Sequence, residues 1–289
     1  MLRMNRILLP IDFHETSKAV VHQAVILSRH FQSELIILHV LTPLSYSAGS
    51  LEGTYVPTSL ADLKAELIRQ AQHNLDRFLA PELEGLSVKR ELLEGDPAHT
   101  IVETAGQQNV DLIMMPTHGY GAFRRFLIGS VTAKVLHDSE CPVWTGAHLE
   151  AAPSREFAIG HVLCAVDLSP RSPGTIQWAA QLAAEFGARL TLCHVTPAAG
   201  PYGLGGYPID PSWKEALVDF AMKDLAKLQQ DLNIKANVII ESGDVPRRLH
   251  QAAKQVQADL LVVGRPSGGR LRPTGYGIIR ESFVPVLSV

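Results

Sequence analysis

The stretch best equipped for chemistry is a turn. Gly129-Ser130 immediately precedes the helix-like run Val131–His137. A glycine lets an anion approach the backbone, a serine can cap, and a helix N-terminus presents free N–H groups at the positive end of its dipole. Together these are the parts of a phosphate cradle. Upstream, Met115-Pro116-Thr117-His118-Gly119-Tyr120-Gly121 leaves an apolar strand and brings two further glycines towards the same point. Arg124 and Arg125 follow, either to neutralise phosphate or to form a solvated pair. Two more segments, Pro10-Ile11-Asp12 and His39-Val40, each end an apolar run. Asp12 either contacts a ligand or caps the turn it stands in. His118 has no carboxylate or nucleophile paired with it in the sequence, so a structural or stacking role is expected before general-base catalysis. His39 and its counterpart His194 are expected to be satisfied core histidines, because no Cys or second His stands at metal-ligand spacing. Ser267-Gly268-Gly269 begins like a pyrophosphatase-type adenylating loop but follows the wrong strand. No G-x-x-x-x-G-K-[ST], G-x-S-x-G or H-E-x-x-H occurs. Nothing marks an activated nucleophile.

The elements that must position these residues occur twice. Residues 7–40 and 162–195 align without a gap, and nine of the 34 positions are identical, among them Asp12/Asp167, Ser17/Ser172, His39/His194 and Val40/Val195. Gly95-Asp96 recurs as Gly243-Asp244, Asp111-Leu112-Ile113 as Asp259-Leu260-Leu261, and Cys141-Pro142-Val143 as Val284-Pro285-Val286. So many matches in one order make the chain a duplication. In each copy a buried strand (7–11; 162–166) is followed by a helix (16–31; 171–186) and a second strand (34–40; 189–195). A Gly/Pro/Ser/Tyr-rich loop comes next (42–57; 197–210). The helix after the first such loop starts near Thr58-Ser59, with Ser59 and Asp62 as a capping pair. Its apolar stripe runs through Leu60, Leu63, Leu67, Ala71, Leu75 and Phe78. A strand (87–93; 236–241), a helix opened at Asp96-Pro97 or Asp244-Val245, and a strand (111–115; 259–263) come next. A last helix and a closing strand (142–145; 284–289) complete each copy. Alternating strands and helices predict an α/β chain of two tandem Rossmann-like, doubly wound parallel sheets. The boundaries read as a first domain over 1–147, a linker over 148–156 and a second domain over 157–289. Ligands of such sheets sit at the strands' carboxyl ends, where the strand order reverses.

Composition bounds the function classes. The chain has 289 residues, is 46% hydrophobic and carries a formal charge of −3. It offers no basic run that would mark a nucleic-acid footprint. No apolar stretch approaches a membrane span, and the N-terminus runs into a strand without a signal-peptide core, which together predict a cytoplasmic protein. Cys141, Cys164 and Cys193 form no C-x-x-C pair; the latter two sit in apolar runs as core residues.

The order strand, Asp, second strand end, then G-x2-G-x9-G-S/T resembles the universal stress protein family in its tandem two-domain form, over nearly the whole chain. The resemblance implies the adenine nucleotide alpha-hydrolase-like fold and ATP or another adenine nucleotide as ligand, with or without Mg²⁺. It implies that Pro10, Asp12 and Val40 lie around the base. Met115, Pro116, Thr117, His118, Gly119, Tyr120, Gly121, Gly129, Ser130 and Val131 then wrap ribose and phosphates. It further implies pairing of closing strands, through Val143-Trp144 and Val286-Leu287, within the chain or in a homodimer. Two departures stand out. Pro116 occupies the place of the first motif glycine, with a fixed φ and no N–H. In the second copy Gly264-Arg265-Pro266-Ser267 lacks the second glycine. Counting nine on from Ser267 gives Gly277-Ile278, whereas aligning back from Pro285 gives Arg272-Pro273 at the Gly-Ser position and a loop five residues shorter. In either register the second copy is expected to serve as a scaffold. A slow ATP hydrolase using the same loop and a ligand-free protein–protein adaptor are the alternative functions.

Overall fold

Short apolar runs closed by Asp, Pro or Gly form the strands of both copies, because a sheet covered on both faces needs no polar alternation. The computed structural model describes residues 2–13, 15–43, 60–117, 128–147, 157–197, 212–265 and 273–289. Contacts divide the chain into Arg3–Trp144 and a unit containing Thr145–Val289. The first copy runs β1 (Arg6–Pro10), α1 (Glu15–Phe31), β2 (Glu34–Leu41), α2 (Leu60–Arg77), β3 (Val88–Glu94), α3 (Pro97–Gln107), β4 (Leu112–Met115), α4 (Ser130–Asp138) and β5 (Val143–Thr145). The second repeats it as β6 (His161–Ala165), α5 (Ser172–Glu185), β7 (Arg189–Thr196), α6 (Ser212–Asp231), β8 (Asn237–Ser242), α7 (Val245–Val256), β9 (Leu260–Val263), α8 (Pro273–Glu281) and β10 (Val286–Ser288).

The strand order is β3-β2-β1-β4-β5 in the first copy and β8-β7-β6-β9-β10 in the second. β1 pairs in parallel with β2 (Leu8 opposite Ile36) and with β4 (Leu8 opposite Ile113), and β6 does the same with β7 and β9. The chain winds outward from β1 through β2 to β3, then returns to β4 on the other side. The order therefore reverses between β1 and β4, and again between β6 and β9, leaving a crevice at each carboxyl edge. This is the Rossmann-like α/β architecture the repeat predicts. Leu8, Leu35, Ile36, Ile37, Leu38, Leu112 and Ile113 are fully buried in the first core; each contributes on the order of 2 kcal/mol of apolar burial.

Two repeated aspartates owe their recurrence to the backbone. Asp111 Oδ2 accepts from the amides of Asn5 and Arg6 at 2.7 and 3.0 Å, and Asp259 Oδ2 accepts from Gly160 and His161 at 2.8 and 2.9 Å. Each carboxylate thus satisfies the opening amides of the central strand from the start of its neighbour. Asp96 and Asp244 are N-caps, accepting from His99 N at 2.9 Å and Arg247 N at 3.2 Å, with proline in the first turn where its missing N–H costs nothing.

Other expectations need adjustment. Ser59 lies outside the described residues, and α2 is first seen at Leu60. Its stripe is buried only towards the C-terminus, at Ala71 and Leu75, while Leu67 is 38% exposed and Phe78 lies beyond the helix. The choice of register in the second copy is settled. α8 and β10 begin 143 residues after α4 and β5, so Arg272-Pro273 stands at the Gly129-Ser130 position. Nine residues link β9 to α8, against 14 between β4 and α4.

Candidate nucleotide site

In the first copy the crevice is built from β1, β2 and β4. Pro10 ends β1, and the Ile11 amide still donates to the Leu38 carbonyl at 2.9 Å, keeping the strand straight up to Asp12. Asp12 itself is exposed. Phe13, immediately after it, holds φ at 60°, a left-handed conformation that turns the chain out of the sheet and costs a non-glycine residue about 1 kcal/mol. Leu168 repeats the device at φ 57°. The Phe13 ring lies 4.3 Å from the His39 ring, centroid to centroid, and edge-on to Phe78 at 5.8 Å.

His39 and His194 are satisfied as expected, although half-buried. Nδ1 of each lies 2.8 Å from a carbonyl, that of Ile11 and that of Val166. A carbonyl only accepts, so Nδ1 carries the proton. Burial pushes the His39 imidazole below its ordinary value, partly offset by the Ile11 hydrogen bond and the Asp12 charge. The neutral ring then leaves Nε2 as an acceptor. Val40 is half-buried one residue further along β2.

The third wall is the end of β4 and the start of α4. Met115 is buried at the strand end, and Thr117 is buried beyond it. The Pro116 carbonyl accepts from Thr132 Oγ1 at 2.9 Å, and the Thr117 carbonyl accepts from the Gly129 amide at 2.8 Å. These two bonds fasten the strand end to the first turn of α4. Gly129 is the N-cap at φ −56°, ψ 142°, and it makes no side-chain capping bond. Its own amide is spent on Thr117, so the amides next in line for an anion are those of Ser130 and Val131, which a helix leaves without intrahelical partners. Thus Pro10, Asp12, Val40, Met115, Pro116, Thr117, Gly129, Ser130 and Val131 all stand at the carboxyl edge. His118, Gly119, Tyr120 and Gly121, like Arg124 and Arg125, lie outside the described residues.

The second copy presents the same edge with different side chains. Asp167 Oδ1 accepts from Ser169 N and Ser172 Oγ, both at 3.0 Å, so it caps the turn. Burial raises its pKa, but these bonds outweigh it and hold the carboxyl below its ordinary value. Gly264 stands where the first copy has Pro116, and a Cβ there would lie 2.6 Å from Thr175 Oγ1; the close approach of α5 requires glycine. A cleft of about 490 Å³ opens here, with Asp167, Arg171, His194, Val195, Gly264 and Arg265 among its lining residues. Reading for glycines and hydroxyls overlooked Phe13, Arg171 and Arg265. The arginines were visible as replacements for Thr16 and Thr117 in the aligned copies; the left-handed turn at Phe13 had no compositional signal.

Among the described residues, no helix is long and apolar enough to cross a membrane and no group of three or more His, Cys, Asp or Glu could hold a metal ion. Comparison with solved structures places a universal stress protein from Archaeoglobus fulgidus over 99% of this chain and 98% of its own, with a TM-score of 0.71 at 23% identity. A universal stress protein from Mycolicibacterium smegmatis is 26% identical over 272 residues, covering 91% of this chain and 87% of that one. YxiE, a universal stress protein of Bacillus subtilis, is 32% identical over 142 residues, 96% of its length but 48% of this chain. The model of the universal stress protein family matches residues 4–145 and again 158–289. With both copies matched and the fold shared, the chain belongs to the universal stress protein family.

Proposed function

We propose that the first unit binds ATP or a related adenine nucleotide, in the service of a stress response. The observation that carries this reading is the start of α4. A glycine N-cap without a side-chain bond opens the helix at the switch point between β1 and β4. A helix N-terminus at that place favours negative charge through its amides and dipole. The base is held between Asp12, the His39–Phe13 ring pair and Val40. The phosphates follow the Ser130 and Val131 amides. Pro116 is compatible with this arrangement because its carbonyl is tied to Thr132 and its nitrogen is not asked to donate. The chain is further proposed to assemble as a homodimer.

Calorimetric titration with ATP, with and without Mg²⁺, tests the proposal beside a Gly129→Asp/Ser130→Ala variant. Saturable binding that is lost in the folded variant is the expected result. Absence of heat at high-micromolar ATP from the folded, unaltered protein would leave an adaptor with no nucleotide. Light scattering of the eluting protein gives the assembly state.

A further inference from the structure

The outer strands of the two copies have diverged in character. In the first copy the edge strand β3 carries Lys89, Arg90 and Glu91. Lys89 pairs with Glu91 at 2.6 Å, Arg90 Nε donates to the Leu75 carbonyl at 3.1 Å, and on α2 Gln72 donates to Asp76 at 2.8 Å. Charges of this kind keep an open strand edge from recruiting another chain. In the second copy the edge strand is β8, and among the described residues it pairs only with β7. Aligned on Gly95 and Gly243, its residues in place of the three charges are Asn237, Val238 and Ile239, with Ile240 next. All three apolar side chains are half-exposed. Aligned on the buried pairs Ala71/Leu75 and Ala221/Leu225, α6 has Met222 and Ala226 where α2 has Gln72 and Asp76, and both are exposed.

Strand and helix present these residues together. Gln229 Oε1 accepts from the Ala236 amide just before β8, at 2.8 Å, so the flank of α6 that carries Gln229 is the one towards β8. Met222 and Val218 lie two and three turns earlier on that flank, 47% and 37% exposed. Back along the helix, Met222 is about 10 Å from Gln229; forward along the strand, Ile239 and Ile240 are about 10–13 Å from Ala236. The middles of the two apolar elements are therefore level.

We infer that this edge binds a second copy of the chain, β8 against β8 and α6 against α6, about one two-fold axis beside Met222 and Ile239–Ile240. The inference rests on the homodimer reading above and gives that dimer its surface. A two-fold interface is self-complementary, and the charges of α6 meet that condition. Antiparallel pairing sets Val218 opposite the partner's Ala226 and Asp219 beside the partner's Lys223, with the same ion pair repeated across the axis. At these two positions α2 carries Arg69 and His73, which would repel their own copies.

Sedimentation equilibrium of the unaltered chain, Asp219→Lys, Lys223→Asp and Met222→Glu tests it. All three positions are exposed, and thermal denaturation checks that each variant stays folded. The unaltered chain is expected to be a dimer. Each charge variant alone sets like charges across the axis and should raise the dimer dissociation constant roughly tenfold or more, as should Met222→Glu. An equimolar mixture of Asp219→Lys and Lys223→Asp should recover dimers, seen as heterodimers by native mass spectrometry, because both ion pairs are restored with reversed sign. A dimer that ignores Met222→Glu or either charge variant, or charge variants whose mixture stays apart, overturns this surface and leaves the homodimer reading standing. A folded, unaltered chain that stays monomeric at the highest concentration reached overturns both.

Discussion

Gly129→Asp separates binding from folding at a single residue. Gly129 sits at φ −56° and ψ 142°, a conformation open to any L-residue, so aspartate enters without backbone strain. It is also a better N-cap than glycine by a few tenths of a kcal/mol, and its charge meets the helix dipole favourably by roughly 0.3–1 kcal/mol. The variant should therefore melt at the same temperature as the parent or up to about 3 °C higher. Binding moves the other way. A carboxylate about 5 Å from one phosphate charge costs roughly 0.8 kcal/mol at the dielectric of water and about 3 kcal/mol at the effective value of 20 near a protein surface. The ATP dissociation constant should rise between about fourfold and two hundredfold, and the penalty should shrink as salt is added. Thermal denaturation and calorimetry on one preparation give both numbers. An unchanged ATP affinity in a variant at least as stable as the parent would remove the start of α4 from the site and refute the reasoning.

Trp144 is fully buried and its Nε1 donates to Gln23 Oε1 at 2.7 Å. Gln23→Leu leaves that donor unpaired and should cost about 1–3 kcal/mol in denaturant unfolding, while Gln23→Leu/Trp144→Phe should recover part of the loss. Gly264→Ala drives a Cβ against Thr175 Oγ1 and should destabilise by about 1–3 kcal/mol; adding Thr175→Ala should relieve most of it. Burial pushes the Cys193 thiol up to about 12 and Cys164 further, whereas Cys141 is only half-buried. Iodoacetamide at pH 8 should modify Cys141 in the native protein and all three after unfolding, as peptide mass mapping would show. The depressed His39 pKa predicts a pH effect. Below about 6.5 the unfolded ring takes a proton that the folded one refuses, so stability should fall as pH drops from 7.5 to 5.5, and His39→Gln should flatten that slope.

The alternation of apolar runs and amphipathic helices, written twice, made the fold legible because burial on both faces of a parallel sheet leaves an unmistakable pattern. The matching Asp111 and Asp259 were legible as identities but not as amide clamps, since nothing local says that a strand's first residue will serve the strand beside it. α2 was legible as a helix with one apolar stripe, but periodicity reports which face is apolar, not how far the sheet extends beneath it. The register of the second loop stayed open because Gly277-Ile278 and Arg272-Pro273 both fit a turn before a helix. A proline tolerated in a first turn was consistent with the second choice, but only the positions at which α8 and β10 begin decided it.

What the two copies share, and what they do not, divides along a physical line. The shared features are those that the backbone imposes at the strand ends: an aspartate where the chain leaves the central strand, a left-handed residue after it, and a histidine donating to the carbonyl before it. None of these depends on what is bound. The differences gather where an anion would sit, with glycine and serine opening one helix and arginine and proline the other. A pure scaffold would be free to fill its crevice with apolar side chains, which would stabilise the unit. The second copy instead keeps an open cleft with an ionised aspartate and a guanidinium anchored by one hydrogen bond.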